Sequence, residues 1–234
     1  MKWRLLLFCL FVLKGVEAQT LQLRLSHAVK GVPMVLGNTT YLNAAGDTFN
    51  ITLFKYYLSN FSLTDTTGRI VRTASGCFLV SEDSVASKMI SLKLPEGHYN
   101  SISFQIGVDS LLNCSGAQSG ALDPLYGMFW TWNSGYIMAK LEGASPSSQL
   151  PGHRIEFHIG GYRAPHITQR MVTLPLPQTL VISGSGASNL SLVGDAYSWF
   201  QGISFRQLAG FMTPGTPADR IADNYQHMFS IHQK

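Results

Sequence analysis

Apolar residues at every second position leave this chain few choices of fold. Leu21, Leu23, Leu25, His27 and Val29 alternate with Gln22, Arg24 and Ser26, the period of a pleated strand with one face turned inward. A longer run from Phe49 to Thr64 puts Phe49, Ile51, Leu53, Tyr57, Phe61 and Leu63 on one side, and Asp65-Thr66-Thr67-Gly68 closes it as a hairpin turn into Ile70–Thr73. Shorter runs at 77–80, 89–94, 102–108, 136–142, 154–159, 171–174, 179–183 and 190–193, separated by Gly, Pro, Ser and Asn, predict an all-β chain. The architecture expected is a mainly antiparallel, Greek-key-like β-sandwich. The period changes only near the end. Thr216-Pro217-Ala218-Asp219 reads as a helix start, and Ile221, Tyr225, Met228, Phe229 and His232 follow at helical spacing, so a short C-terminal helix should dock on a sheet. A second short helix is expected over 195–201.

Lys2 and Arg4 precede the apolar run 5–13, and Val16-Glu17-Ala18 offers small residues where a signal peptidase cuts, so residues 1–18 read as a cleaved signal. The chain from Gln19 to Lys234 is then expected to form one domain, periplasmic or secreted from a bacterium and without a membrane span, because no other apolar run approaches ~18 residues. Losing Lys2, Arg4, Lys14 and Glu17 lowers the net charge from +4 to +2, and the remaining cations are scattered, which argues against a nucleic-acid partner. Export leaves two cysteines in an oxidising compartment, so Cys77 and Cys114 are expected to be bridged.

The most distinctive stretch runs from Ala121 to Gly143. Asp123-Pro124 opens it as a loop, Trp130 and Trp132 lie within three residues, and Gly135 precedes a strand. Residue chemistry suggests an aromatic plug closing one end of the β core, since tryptophan buries much area and asks for one hydrogen-bond partner. Hydrolase and nucleotide signatures are missing: there is no Gly-x-Ser-x-Gly, His-Glu-x-x-His or Gly-x-x-x-x-Gly-Lys. The expectation is therefore a non-enzyme. Histidine is the chemistry that remains. His27 lies on the leucine face, His98 in the turn Pro95-Glu96-Gly97-His98-Tyr99, and His158 two residues after Glu156 on one strand face. Each can be a hydrogen-bonded structural residue or a metal ligand.

The blocks Leu122-Asp123-Pro124, Met128-Phe129-Trp130-Thr131-Trp132-Asn133-Ser134-Gly135-Tyr136 and Lys140-Leu141-Glu142-Gly143 resemble the signature of the MbnP-like copper-binding protein family, exported bacterial β proteins. Tyr56-Tyr57-Leu58-Ser59-Asn60, Ile106-Gly107-Val108-Asp109, Glu156-Phe157-His158-Ile159-Gly160-Gly161 and Ile221-Ala222-Asp223-Asn224-Tyr225 agree with it. The resemblance implies copper binding or delivery through two histidines and an oxidised tryptophan two residues before one of them. It also implies a di-haem cytochrome c peroxidase-like partner. On that basis His27 and His98 are the candidate metal pair, with His158 as a third, but Leu25 stands where the modified tryptophan would be. Trp130 and Trp132 are the candidates for recognition of a partner or oxidation by it. The rival reading is a protein-interaction module without metal.

Overall fold

The computed structural model describes residues 19–73, 76–131, 134–184 and 187–232. The expected signal, Trp132 and the C-terminal Lys234 lie outside the described residues.

Strand β1 (Gln19–Val29) buries Leu21, Leu23, Leu25 and His27 as its period requires. Strand β2 (Thr48–Asp65) is the longest, and β3 (Cys77–Ser81) pairs along its middle. β4 (Met89–Leu94) turns at Pro95-Glu96 into β5 (Gly97–Ile106). There the Tyr99 hydroxyl donates to the Pro95 carbonyl at 2.9 Å and ties down the turn, as a tyrosine corner does. A short helix, α1 (Ser110–Cys114), leads to the tryptophan stretch, which holds β6 (Phe129–Thr131) and β7 (Gly135–Ala144). β8 (Arg154–Gly160), β9 (Arg170–Ile182), β10 (Ser188–Asp195), α2 (Thr216–Tyr225) and β11 (Phe229–Ile231) complete the main elements.

Two sheets face each other. The larger has the order β9-β5-β2-β7-β8, antiparallel throughout that path. In the smaller, β11 and β10 lie on one side of β1 and β4 on the other, with β10 running parallel to β1 from Leu21↔Ser188 to Ala28↔Asp195. The main core between them is rich in aromatic rings, including Phe49, Phe54, Phe104, Phe157, Trp199, Phe200 and Phe205. The segment Ala196–Phe200 is a 3-10 turn capped by Asp195, which accepts from the Tyr197 N–H, and it delivers Trp199 and Phe200 inward. The C-terminal helix buries Ala218, Ile221, Ala222 and Tyr225.

The single inward face expected for β2 does not hold along its length. Phe49 and Ile51 are buried, then Phe54, Tyr56 and Leu58, then Phe61 and Leu63, while Leu53 is only half-buried. Two register slips cause the switches. One lies opposite Glu142 and Gly143, and the other falls between Ser59 and Ser62, where Asn60 adopts φ 53°. Each extra residue turns the following side chains to the opposite face. Tyr57 is thereby delivered to a second, smaller core on the far side of the large sheet, with Val108, Leu122, Met128, Tyr136, Ile137, Met138 and Tyr162.

Candidate functional site

His27 is the histidine the fold encloses most completely, with its side chain at 0% exposure. Its Nδ1 donates to the Glu82 carboxylate, and the Tyr56 hydroxyl lies 2.7 Å from Nε2 and donates to it. The ring also stands edge-on to Phe54 and Tyr56, with centroids at 5.0 and 5.4 Å. Lys88 Nζ contacts the same Glu82 oxygen at 3.0 Å and the Glu82 backbone carbonyl at 2.9 Å. Burial opposes ionisation of Glu82, but the hydrogen bonds from His27 and Lys88, with the Lys88 charge, outweigh it and hold the carboxyl below its ordinary range. Burial, followed by the Glu82 charge, pushes the Tyr56 hydroxyl well above the usual tyrosine range.

His98 does not join this group. It is the second residue of β5, exposed, and its pairing partner is Val181 of β9 in the other sheet. His158 lies on β8 opposite Lys140, and its Nε2 donates to Glu142 Oε1 at 2.7 Å. The cross-strand carboxylate is thus its partner, whereas Glu156 pairs with Arg154 at 3.2 Å. Burial first, and the Lys140 charge after it, lower the His158 pKa against the opposing hydrogen bond that the ring donates to Glu142.

A metal fits this arrangement poorly. Each ring nitrogen of His27 already has a partner, and the carboxylate beside it is neutralised by an ammonium where a metal cation would have to approach. Among the described residues no group of three His, Cys, Asp or Glu side chains is placed to hold a metal. His27, His98 and His158 are therefore three separate positions. Glu82, Tyr56 and Lys88 were not among the sequence candidates, because nothing local marks a glutamate as the partner of a histidine 55 positions away. The same is true of His166, whose Nδ1 donates to Asp219 of α2 at 2.6 Å.

The cysteines also depart from expectation. Cys77 and Cys114 are not bridged. The chain at 110–114 is helical, and its geometry turns Asn113 inward, where Nδ2 donates to the Val108 carbonyl and Oδ1 accepts from the Tyr136 N–H, leaving Cys114 exposed. Cys77 is half-buried on β3, and burial, with Asp109 nearby, pushes its thiol up to about 12.

At the tryptophan end, Trp130 is half-buried against the second core, so close to Gly160 that a Cβ there would lie 2.5 Å from the indole Cζ3. Phe129 tilts on Tyr136 at 4.8 Å, and the Tyr136 hydroxyl donates to the Leu122 carbonyl at 2.8 Å. The segment that covers this core leaves apolar residues outside: Leu111 is 79% exposed, Leu125 92% and Tyr126 50%.

The MbnP family model matches residues 18–213. The chain belongs to the MbnP family. Among solved structures, MbnP from Methylosinus trichosporium is similar in fold, with a TM-score of 0.62 at 15% identity, covering 92% of this chain and 99% of that one. No curated protein matches the sequence. Among the described residues of this MbnP-family chain, no helix is long and apolar enough to cross a membrane.

Proposed function

We propose that this MbnP-family member is an exported, non-enzymatic binding protein whose tryptophan end docks a protein partner, the di-haem peroxidase-like protein that the sequence resemblance implies. The observation that carries this reading is that the segment covering a core separate from the main one leaves Leu111, Leu125 and Tyr126 exposed. Large apolar side chains kept outside on one covering segment offer area that a partner can bury. Leu125→Asp should weaken binding to the di-haem protein at least tenfold in a calorimetric titration while leaving the melting temperature within about 2 °C. Unchanged binding would defeat the proposal.

Copper binding is the second reading, favoured by His158. Its Nε2 is held by Glu142, and Nδ1 has no hydrogen bond among the described residues, the arrangement in which a carboxylate orients a ligand histidine. Copper titration of the wild type with His27→Ala, His98→Ala and His158→Ala separates the cases. Loss of stoichiometric binding in His158→Ala alone supports this reading, and no uptake by the wild type ends it.

A further inference from the structure

Beside α1, the bulge in β2 opens a cavity of about 490 Å³, within the ~300–1,000 Å³ typical of binding pockets. Its walls include Asn60, Cys77, Asp109, Leu111, Leu112 and Leu122. The bulge builds it. Asn60, held at φ 53°, sends Nδ2 to Gln105 Oε1 and Asp109 Oδ2, both at 3.3 Å, and so braces the strand against the start of the helix. Asparagine tolerates this left-handed backbone better than a branched residue would. Leu111 adds an exposed apolar rim.

The charge in this region is one-sided. Among the described residues no Lys, Arg or His lines the cavity, and the donors to Asp109 are neutral: the Leu111 N–H on Oδ1 at 2.8 Å and Asn60 on Oδ2. Asp123, next to the lining residue Leu122, likewise accepts from the Leu125 N–H at 2.9 Å and makes no ion pair among the described residues. The cavity therefore combines apolar walls with one carboxylate, Asp109, that has no cationic partner among the described residues.

We propose that this cavity receives a segment of a protein partner in which a large apolar side chain is flanked by lysine or arginine. The apolar side chain enters between Leu112 and Leu122, and the flanking cation pairs with Asp109. This deepens the docking reading above and rests on it for the identity of the surface, but it can be tested without the partner.

The probe is the peptide acetyl-Lys-Leu-Lys-amide, titrated into the intact protein at constant ionic strength and followed by the methyl resonances of Leu111, Leu112 and Leu122. A saturable shift is expected, with acetyl-Glu-Leu-Glu-amide at least tenfold weaker. Asp109→Asn keeps an oxygen to cap α1, so the helix survives, and should weaken the lysine peptide at least fivefold. Ser119→Trp, which fills the cavity from its wall, should abolish the shift. The proposal is overturned if the methyls do not respond, if the two peptides bind alike, or if Asp109→Asn binds as the wild type does. Peptide binding in a protein that fails to bind the di-haem partner would sink only the choice of partner, and partner binding with silent methyls would sink only this cavity.

Discussion

Replacing His27 with alanine should unfold the protein far more readily, and for reasons unrelated to metal. The ring is fully enclosed and packs edge-on against Phe54 and Tyr56, so its removal leaves a cavity worth about 2 kcal/mol at the low end of large-to-small core changes. The Tyr56 hydroxyl, itself fully buried, loses the one hydrogen-bond partner it has among the described residues, and an unsatisfied buried hydroxyl costs about 1–3 kcal/mol. Glu82 keeps Lys88 and is partly exposed, so little is added there. The total is roughly 3–5 kcal/mol, and for a chain of this size each kcal/mol lowers the melting temperature by about 2–4 °C. A fall on the order of 10 °C is expected by differential scanning calorimetry in chelator-treated protein. Tyr56→Phe, which keeps the ring and strands only His27 Nε2, should cost about 1–2 kcal/mol. A His27→Ala change below about 1 kcal/mol without metal would refute the core reading. A large loss seen only in copper-loaded protein would make His27 a ligand after all.

The lowered carboxyl of Glu82 should contribute stability that is present above the unfolded-state value near 4.5 and lost as pH falls through its folded value. Acid unfolding followed from pH 6 to 2 should therefore show a shallower pH dependence in Glu82→Gln than in the wild type, and parallel curves would count against the ion pair. His158 should titrate below 6.5 by NMR, because burial disfavours its charge, and its midpoint should move up in Lys140→Met. An unmoved midpoint would show that the lysine does not act on it. In native protein starting at Gln19, a thiol reagent should modify Cys114 quickly and Cys77 much more slowly, since burial keeps the Cys77 thiol protonated. A titration finding no thiol in unfolded, unreduced protein would restore the disulfide.

Local patterning is enough to set the kind of structure. Period-two patterning is a local property, and β1, β4, β5, β8 and the hairpin after β2 follow it directly; the helix at 216–225 follows its proline-led start, but it ends at Tyr225, and Phe229, expected on the same helix, lies in strand β11. The bond from the Tyr99 hydroxyl to the Pro95 carbonyl is local too, because donor and acceptor lie four residues apart. What tertiary structure decided was each pairing over distance. β1 could not announce that it lies parallel to β10, nor could the pattern of β2 reveal the two slips that move Phe54, Tyr56 and Leu58 to the core face and Tyr57 to the other. An inserted residue costs the strand one ladder position and leaves no mark on composition. His27 is the clearest case. The sequence placed it correctly on a buried face, but whether a buried imidazole is a ligand or a core hydrogen-bonding group depends on what meets its two nitrogens. Glu82 and Tyr56 meet them only because β2 and the chain after β3 fold over the end of β1.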